Sequence, residues 1–189
     1  IFSPRSSWTT AWTRLPFMPT QAPTGSTSRS RDDTAIFARA PGPRADDRVP
    51  LPCDGRLLRL IPVPGARCSV NPTTARGVPG LFARNERVVC HFDSPHGPFV
   101  LVLVGATIVG SMATVWHGVV NPPRPGAVRD WHYDGEQAVP LDRGAEMGRF
   151  LLGSTVVMLF PKGAMRFTSD WATTRAVRLG EVMGQGPSQ

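Results

Sequence analysis

From Pro52 onward the chain is a series of short apolar runs separated by turn residues. "GRLLRLIPVPG" (55–65) is a run closed by prolines, and "RVVCHFD" (87–93) is a second, closed by the turn "SPHG". Residues 99–104 and 106–117 follow, then the turn "NPPRPG" (121–126), then "AVRDWHYD" (127–134) and "STVVMLF" (154–160). Short runs of this kind, rich in Val and Ile and spaced by Pro and Gly, predict strands of a β-barrel or sandwich. No internal repeat is visible. The longest uncharged stretch is "PFVLVLVGATIVGSMATVW" (98–116). Its glycines and hydroxyls interrupt the sustained apolarity that a spanning helix needs. Two buried strands joined near Gly105 to Gly110 are predicted instead.

"AEMGRFLLGSTVVMLF" (145–160) reads as a charged turn feeding a buried strand, with Gly153-Ser154-Thr155 at the strand start. A small residue and two hydroxyls pack poorly there, which suggests either a bulge or chemistry. Residues 1–40 lack any sustained period, and "TQAPTGSTSRSRDD" (20–33) has too little apolar surface to order itself. They are expected to form a low-complexity, disordered arm ahead of a domain spanning 41–189. Trp8 and Trp12, four apart in that arm, give a weak signal for an interfacial anchor.

Composition sharpens this picture. Twenty prolines and 19 glycines among 189 residues leave little room for long helices. The net charge of +7 suits an anionic partner, either nucleic acid or an anionic membrane surface, and does not choose between them. Cys53, Cys68 and Cys90 are far apart, odd in number and without a CxxC pair, so no disulfide framework is expected. Cys90, His91 and His96 fit no zinc spacing, and adjacent strand residues point to opposite faces, so no metal is expected. No signal peptide is apparent. The first residue is Ile1, which reads as a fragment or a processed product. His91, His96, His117 and His132 form no triad spacing, and nucleophile-elbow, phosphate-loop and dinucleotide motifs are absent. These residues alone support a soluble β-rich domain and nothing more specific.

Several blocks nevertheless stand in the order of a known family. They are "PCDGRL" (52–57), "VPGARCSVN" (63–71), "VPGLFARNERVV" (78–89), "LVGATIVGSMATVW" (103–116), "PPR" (122–124) and "GAEMGRFLLGSTVVMLF" (144–160). Over residues 52–160 the chain resembles the bacterial, membrane-associated phosphatidylserine decarboxylases. The resemblance implies an antiparallel barrel-sandwich and a self-cleavage site at Leu152-Gly153-Ser154-Thr155. The Ser154 hydroxyl would attack the Gly153 carbonyl through a five-membered ring, turning an amide into an ester. Gly153 leaves that carbonyl uncrowded. Elimination would then leave residues 1–153 as one chain and 154–189 as its partner in a heterodimer. Ser154 would become a covalent pyruvoyl group, whose ketone condenses with the substrate amine and accepts the electrons freed as carbon dioxide leaves. The implied substrate is phosphatidylserine and the product phosphatidylethanolamine. The implied location is the cytoplasmic side of the cell membrane, as a peripheral protein, and nucleic acid is not an expected partner.

The chain departs from the pattern ahead of "PCDG". The family carries two histidines where this sequence has Asp47 and Pro50, and the second of them belongs to an Asp-His-Ser triad that drives self-cleavage. No counterpart of the triad aspartate is found in residues 1–40, and the family's N-terminal membrane-attaching helices have none either. Proline cannot act as a base, so slow maturation is expected. The rival reading is an uncleaved, catalytically dead relative that binds lipid or a partner. Glu146 and Arg149 read equally as a surface ion pair, Asn85-Glu86-Arg87 as a hydrogen-bonded turn, and "GATIVGS" as core with glycines at close backbone approach.

Overall fold

Strand-forming residues in the chain have two apolar faces to bury, and the fold buries them on either side of one large sheet. The structure, a computed structural model, describes residues 27–29, 34–39, 48–107, 112–120, 127–133, 135–151, 155–169, 171 and 180–186. The first strands are β1 (Thr27–Arg29), β2 (Thr34–Arg39), β3 (Arg48–Pro50) and β4 (Gly55–Val63). Two short helices follow, α1 (Pro72–Gly77) and α2 (Leu81–Arg84). The Asn71 side chain starts α1 by accepting from the Thr74 N–H at 2.9 Å, with Pro72 at the first turn where its missing N–H costs nothing.

Next come β5 (Arg87–Asp93), β6 (Phe99–Val104), β7 (Met112–Thr114), β8 (Gly118–Val119) and β9 (Trp131–His132). The last are β10 (Val139–Leu141), β11 (Glu146–Phe150), β12 (Thr155–Pro161), β13 (Arg166–Phe167) and β14 (Gly184–Gln185). One sheet runs β1-β2-β12-β6-β5-β4-β10, with β9 also on β4. A second runs β3-β11-β7-β8, and β13 pairs with β14. The pairings between these strands are antiparallel.

Alternation sorts the side chains. Val88, Cys90 and Phe92 of β5, Leu101 and Leu103 of β6, and Val156 and Phe160 of β12 meet Val49, Met112, Met147 and Phe150 of the smaller sheet in one core. On the other face of the large sheet, Val89, Val102 and Val104 gather with Ile61, Val63, Val157 and Phe82 of α2. The architecture is the mainly antiparallel, sandwich-like β fold that the sequence implied.

Several elements differ from the sequence reading. Among the described residues, the strand expected over 106–117 is β7, Met112–Thr114, and that over 127–134 is Trp131–His132. The charged turn expected ahead of Gly153 is instead strand β11, paired on both sides by β3 and β7. A bulge between Glu146 and Gly148 disguises its alternation, because Met147 and Gly148 are both buried. β1 and β2 lie inside residues 1–40, where no strand was expected, and β2 holds six positions of register against β12. That pairing is made by backbone groups, which apolar periodicity does not report.

Candidate functional site

β11 belongs to the smaller sheet and β12 to the larger, so the chain crosses between sheets from Leu151 to Thr155. Leu152, Gly153 and Ser154, which separate the two strands in sequence, lie outside the described residues, as does Asp47. Their described neighbours define the surroundings. Phe150 is in register with Met112, and Thr155 with Val104. The β6–β7 connection, which begins at Gly105, therefore crosses between the sheets at the same end of the sandwich.

A buried polar network holds that connection. Asn85 is fully buried, and its Nδ2 donates to the carbonyls of Gly105 at 2.9 Å and Cys68 at 2.8 Å. Its Oδ1 accepts from the Cys68 N–H at 3.0 Å. Gly105 N–H donates to the Glu86 carbonyl at 2.8 Å, and Glu86 N–H to the Ala66 carbonyl at 2.8 Å. A Cβ at Gly105 would stand 2.8 Å from Glu86 Cγ, so only glycine admits this approach. The Glu86 carboxylate is ion-paired with Arg67, Nε to Oε1 at 3.0 Å. Thr155 is buried too, and its Oγ1 has no hydrogen-bond partner among the described residues. The turn read at Asn85-Glu86-Arg87 is thus real, with the Asn85 N–H closing α2 on the Leu81 carbonyl, but it is buried and structural as well. Four polar residues, Arg84 to Arg87, set between apolar "LFA" and "VV" were the available signal.

Pro50 stands in register with Glu146, at the start of β11, whereas Leu152-Gly153-Ser154 follows the end of that strand. Glu146 is occupied by Arg149, Nε to Oε1 at 2.7 Å, as the surface-pair reading had it; here the bulged strand brings them together.

The histidines sit elsewhere. Register lines up His132, Arg59 and His91 across β9, β4 and β5. Asp130 bridges to Arg59, with Nε to Oδ1 at 3.2 Å, and lies 3.5 Å from His132 Nε2. Burial raises the Asp130 carboxyl pKa, but the hydrogen bond and charge of Arg59 outweigh it, and the net direction is down. Cys90 faces the core between the sheets, where burial pushes its thiol pKa up; its neighbour His91 alternates to the other face. His117 packs on Trp131 with ring centroids 4.4 Å apart, and its Nδ1 is 3.4 Å from the Tyr133 hydroxyl. His91 pairs with Val100, four residues along β6 from the Val104–Thr155 row, so this cluster is distant from the crossing.

Burial, then the charge of Arg59, lowers the His91 pKa to about 4 against the partial opposition of Asp130. Above the unfolded value near 6.5 both states are neutral there and stability is unaffected. As pH falls from about 6.5 to 4 the unfolded chain takes the proton first, and stability drops. His91→Asn is therefore expected to flatten that acid slope in denaturant titrations at pH 7, 6, 5 and 4. An unchanged slope would place the acid sensitivity elsewhere.

Comparison with known proteins now bears on this arrangement. The model of the phosphatidylserine decarboxylase family matches residues 38–185. The phosphatidylserine decarboxylase proenzyme of Dechloromonas aromatica (strain RCB) is 69% identical over 142 residues, covering 75% of this chain and 50% of that protein. The proenzymes of Azoarcus sp. (strain BH72) and Variovorax paradoxus (strain S110) are 71% and 72% identical, over 75% of this chain and 49% and 50% of theirs. The chain spans about half the length of these relatives.

Proposed function

The chain belongs to the phosphatidylserine decarboxylase family, and from that premise we propose that it is a proenzyme that cuts itself between Gly153 and Ser154 and decarboxylates phosphatidylserine. The observation that carries this reading is the family match over residues 38–185, a stretch that takes in Gly153-Ser154. In sequence Gly153-Ser154 stands directly ahead of β12, which begins at Thr155. A pyruvoyl group there would supply the electron sink that decarboxylation of an amino-acid headgroup requires.

The fold also supports retention of both products of the cut. β12 begins at Thr155, and it is hydrogen-bonded to β2 on one side and β6 on the other. Residues 154–189 would stay bound to residues 1–153 through two ladders and the core contacts of Val156 and Phe160. Among the described residues no helix is long and apolar enough to cross a membrane. A net charge of +7 suits peripheral attachment to the anionic cytoplasmic face of the cell membrane.

The test is phosphatidylethanolamine formation from phosphatidylserine in detergent micelles, with Ser154→Ala as the control. Product from the parent chain and none from Ser154→Ala is the expected result; equal product from both would overturn the reading. Pro50 at a family histidine position favours a second reading, an uncleaved relative that only binds lipid or a partner. Vesicle binding with no cut and no product would select it.

A further inference from the structure

The smaller sheet turns one face to the core and the other to solvent. Register sets Arg48, Arg149, Ala113 and Val119 side by side across β3, β11, β7 and β8. Their neighbours Val49, Phe150 and Met112 lie in the core between the sheets, so alternation turns this row outward. Val115 is two residues along from Ala113, and its N–H continues the ladder onto the Met147 carbonyl at 3.1 Å. Leu151 is two along from Arg149. The large apolar side chains exposed among the described residues are Val115, Val119, Val128, Leu151 and Val182, and three of the five belong to this face. Val115 is 52% exposed, Val119 53% and Leu151 57%. Scattered exposed valines are ordinary, whereas several on one sheet face make a contact surface.

Charge selects the partner. The charged residues of the four strands are Arg48, Glu146 and Arg149, two cations to one anion. Arg149 Nε donates to Glu146 Oε1 at 2.7 Å, and the Arg149 side chain is still half-exposed. The face thus has an aliphatic side on β7 and β8 and a cationic side on β3 and β11. A second copy laid on it would press arginines against valines or against one another. Nucleic acid offers phosphates but nothing to cover the valines. An anionic bilayer offers phosphates and, directly beneath them, acyl chains.

We propose that this outer face of the smaller sheet is the surface that meets the membrane, with Val115, Val119 and Leu151 entering the boundary between headgroups and acyl chains and Arg48 and Arg149 facing anionic phosphates. This rests on the peripheral attachment proposed above and names its surface. Three aliphatic side chains bury little area, so attachment by this face is reversible and needs its cationic side as well.

The test is flotation of the full chain with vesicles of phosphatidylcholine alone and of phosphatidylcholine mixed with phosphatidylglycerol, at low and high salt, with a melting curve for each variant. Phosphatidylglycerol supplies negative charge without a serine headgroup, so binding does not report on decarboxylation. The parent is expected to float with the anionic vesicles and to be released by high salt. Val115→Ser combined with Val119→Ser leaves the net charge unchanged and is expected to weaken that binding by about 10-fold. Val182→Ser, at an exposed valine outside the smaller sheet, is expected to bind within about twofold of the parent. A parent that binds, with a folded double variant within about twofold of it, overturns this inference alone. Equal binding of the parent to both vesicle types also overturns it, as does a loss in Val182→Ser as large as in the double variant. If the double variant does not melt cooperatively, Val115→Ser alone decides, and a folded single variant at the parent affinity overturns the inference. A parent that binds neither vesicle overturns both this inference and the attachment beneath it.

Discussion

Ser154→Ala is expected to leave the chain whole under every condition in which the parent is cut. The expectation follows from the chemistry of the peptide bond. An amide between two ordinary residues is stable, and the only internal nucleophile in position to attack the Gly153 carbonyl through a five-membered ring is the hydroxyl of the next residue. Alanine removes that oxygen and nothing else of consequence, so the acyl shift has no first step. The loss should be complete, because no neighbouring group can form the same ring. Thr155, one residue further on, would need a larger ring, and its hydroxyl is buried. Denaturing gels over a long incubation check this. Fragments of the expected sizes from Ser154→Ala would show that the cut has another origin, such as proteolysis.

The second large effect concerns stability. Phe92 is 1% exposed at the centre of the shared core. It stacks on Phe99 with ring centroids 5.0 Å apart and receives the edge of Trp116 at 6.2 Å. Phe99 in turn stacks on Phe160 at 5.7 Å, so the aromatic column joins β5, β6 and β12. Phe92→Ala removes a ring that neighbours cannot replace without breaking their own contacts. A loss of about 4 kcal/mol is expected, lowering the melting temperature by about 10 °C for a chain of this size. A shift under about 3 °C would mean that the packing of β5, β6 and β12 does not depend on this column. Because Phe160 lies beyond Ser154 in sequence, the same column would help retain the smaller fragment after a cut.

Much of the large sheet was legible because apolar runs with turn residues at their ends carry its strands. "RVVCHFD" gave β5 to the residue, and "STVVMLF" gave β12 apart from Pro161, its Ser154 lying outside the described residues. The smaller sheet was less legible. β11 has a bulge at Met147-Gly148 and an exposed arginine, so its sequence reads as a charged turn. β3 and β2 were missed because their membership depends on partners distant in sequence, β11 and β12. The candidate cut was legible from the residues around Ser154 and the resemblance they carry. The burial of Glu86 was not legible, since a charged residue between a helix end and a strand ordinarily belongs to a solvated turn. What distinguishes it is burial over Gly105, a property of three strands in register.

The most direct test of the central claim is the intact mass of the purified chain, followed over prolonged incubation at neutral pH. The account predicts gradual conversion into two fragments, residues 1–153 and 154–189, with the smaller blocked to Edman degradation because its N-terminus is a ketone. A chain that remains a single unbroken species throughout, with Ser154 intact, would contradict it.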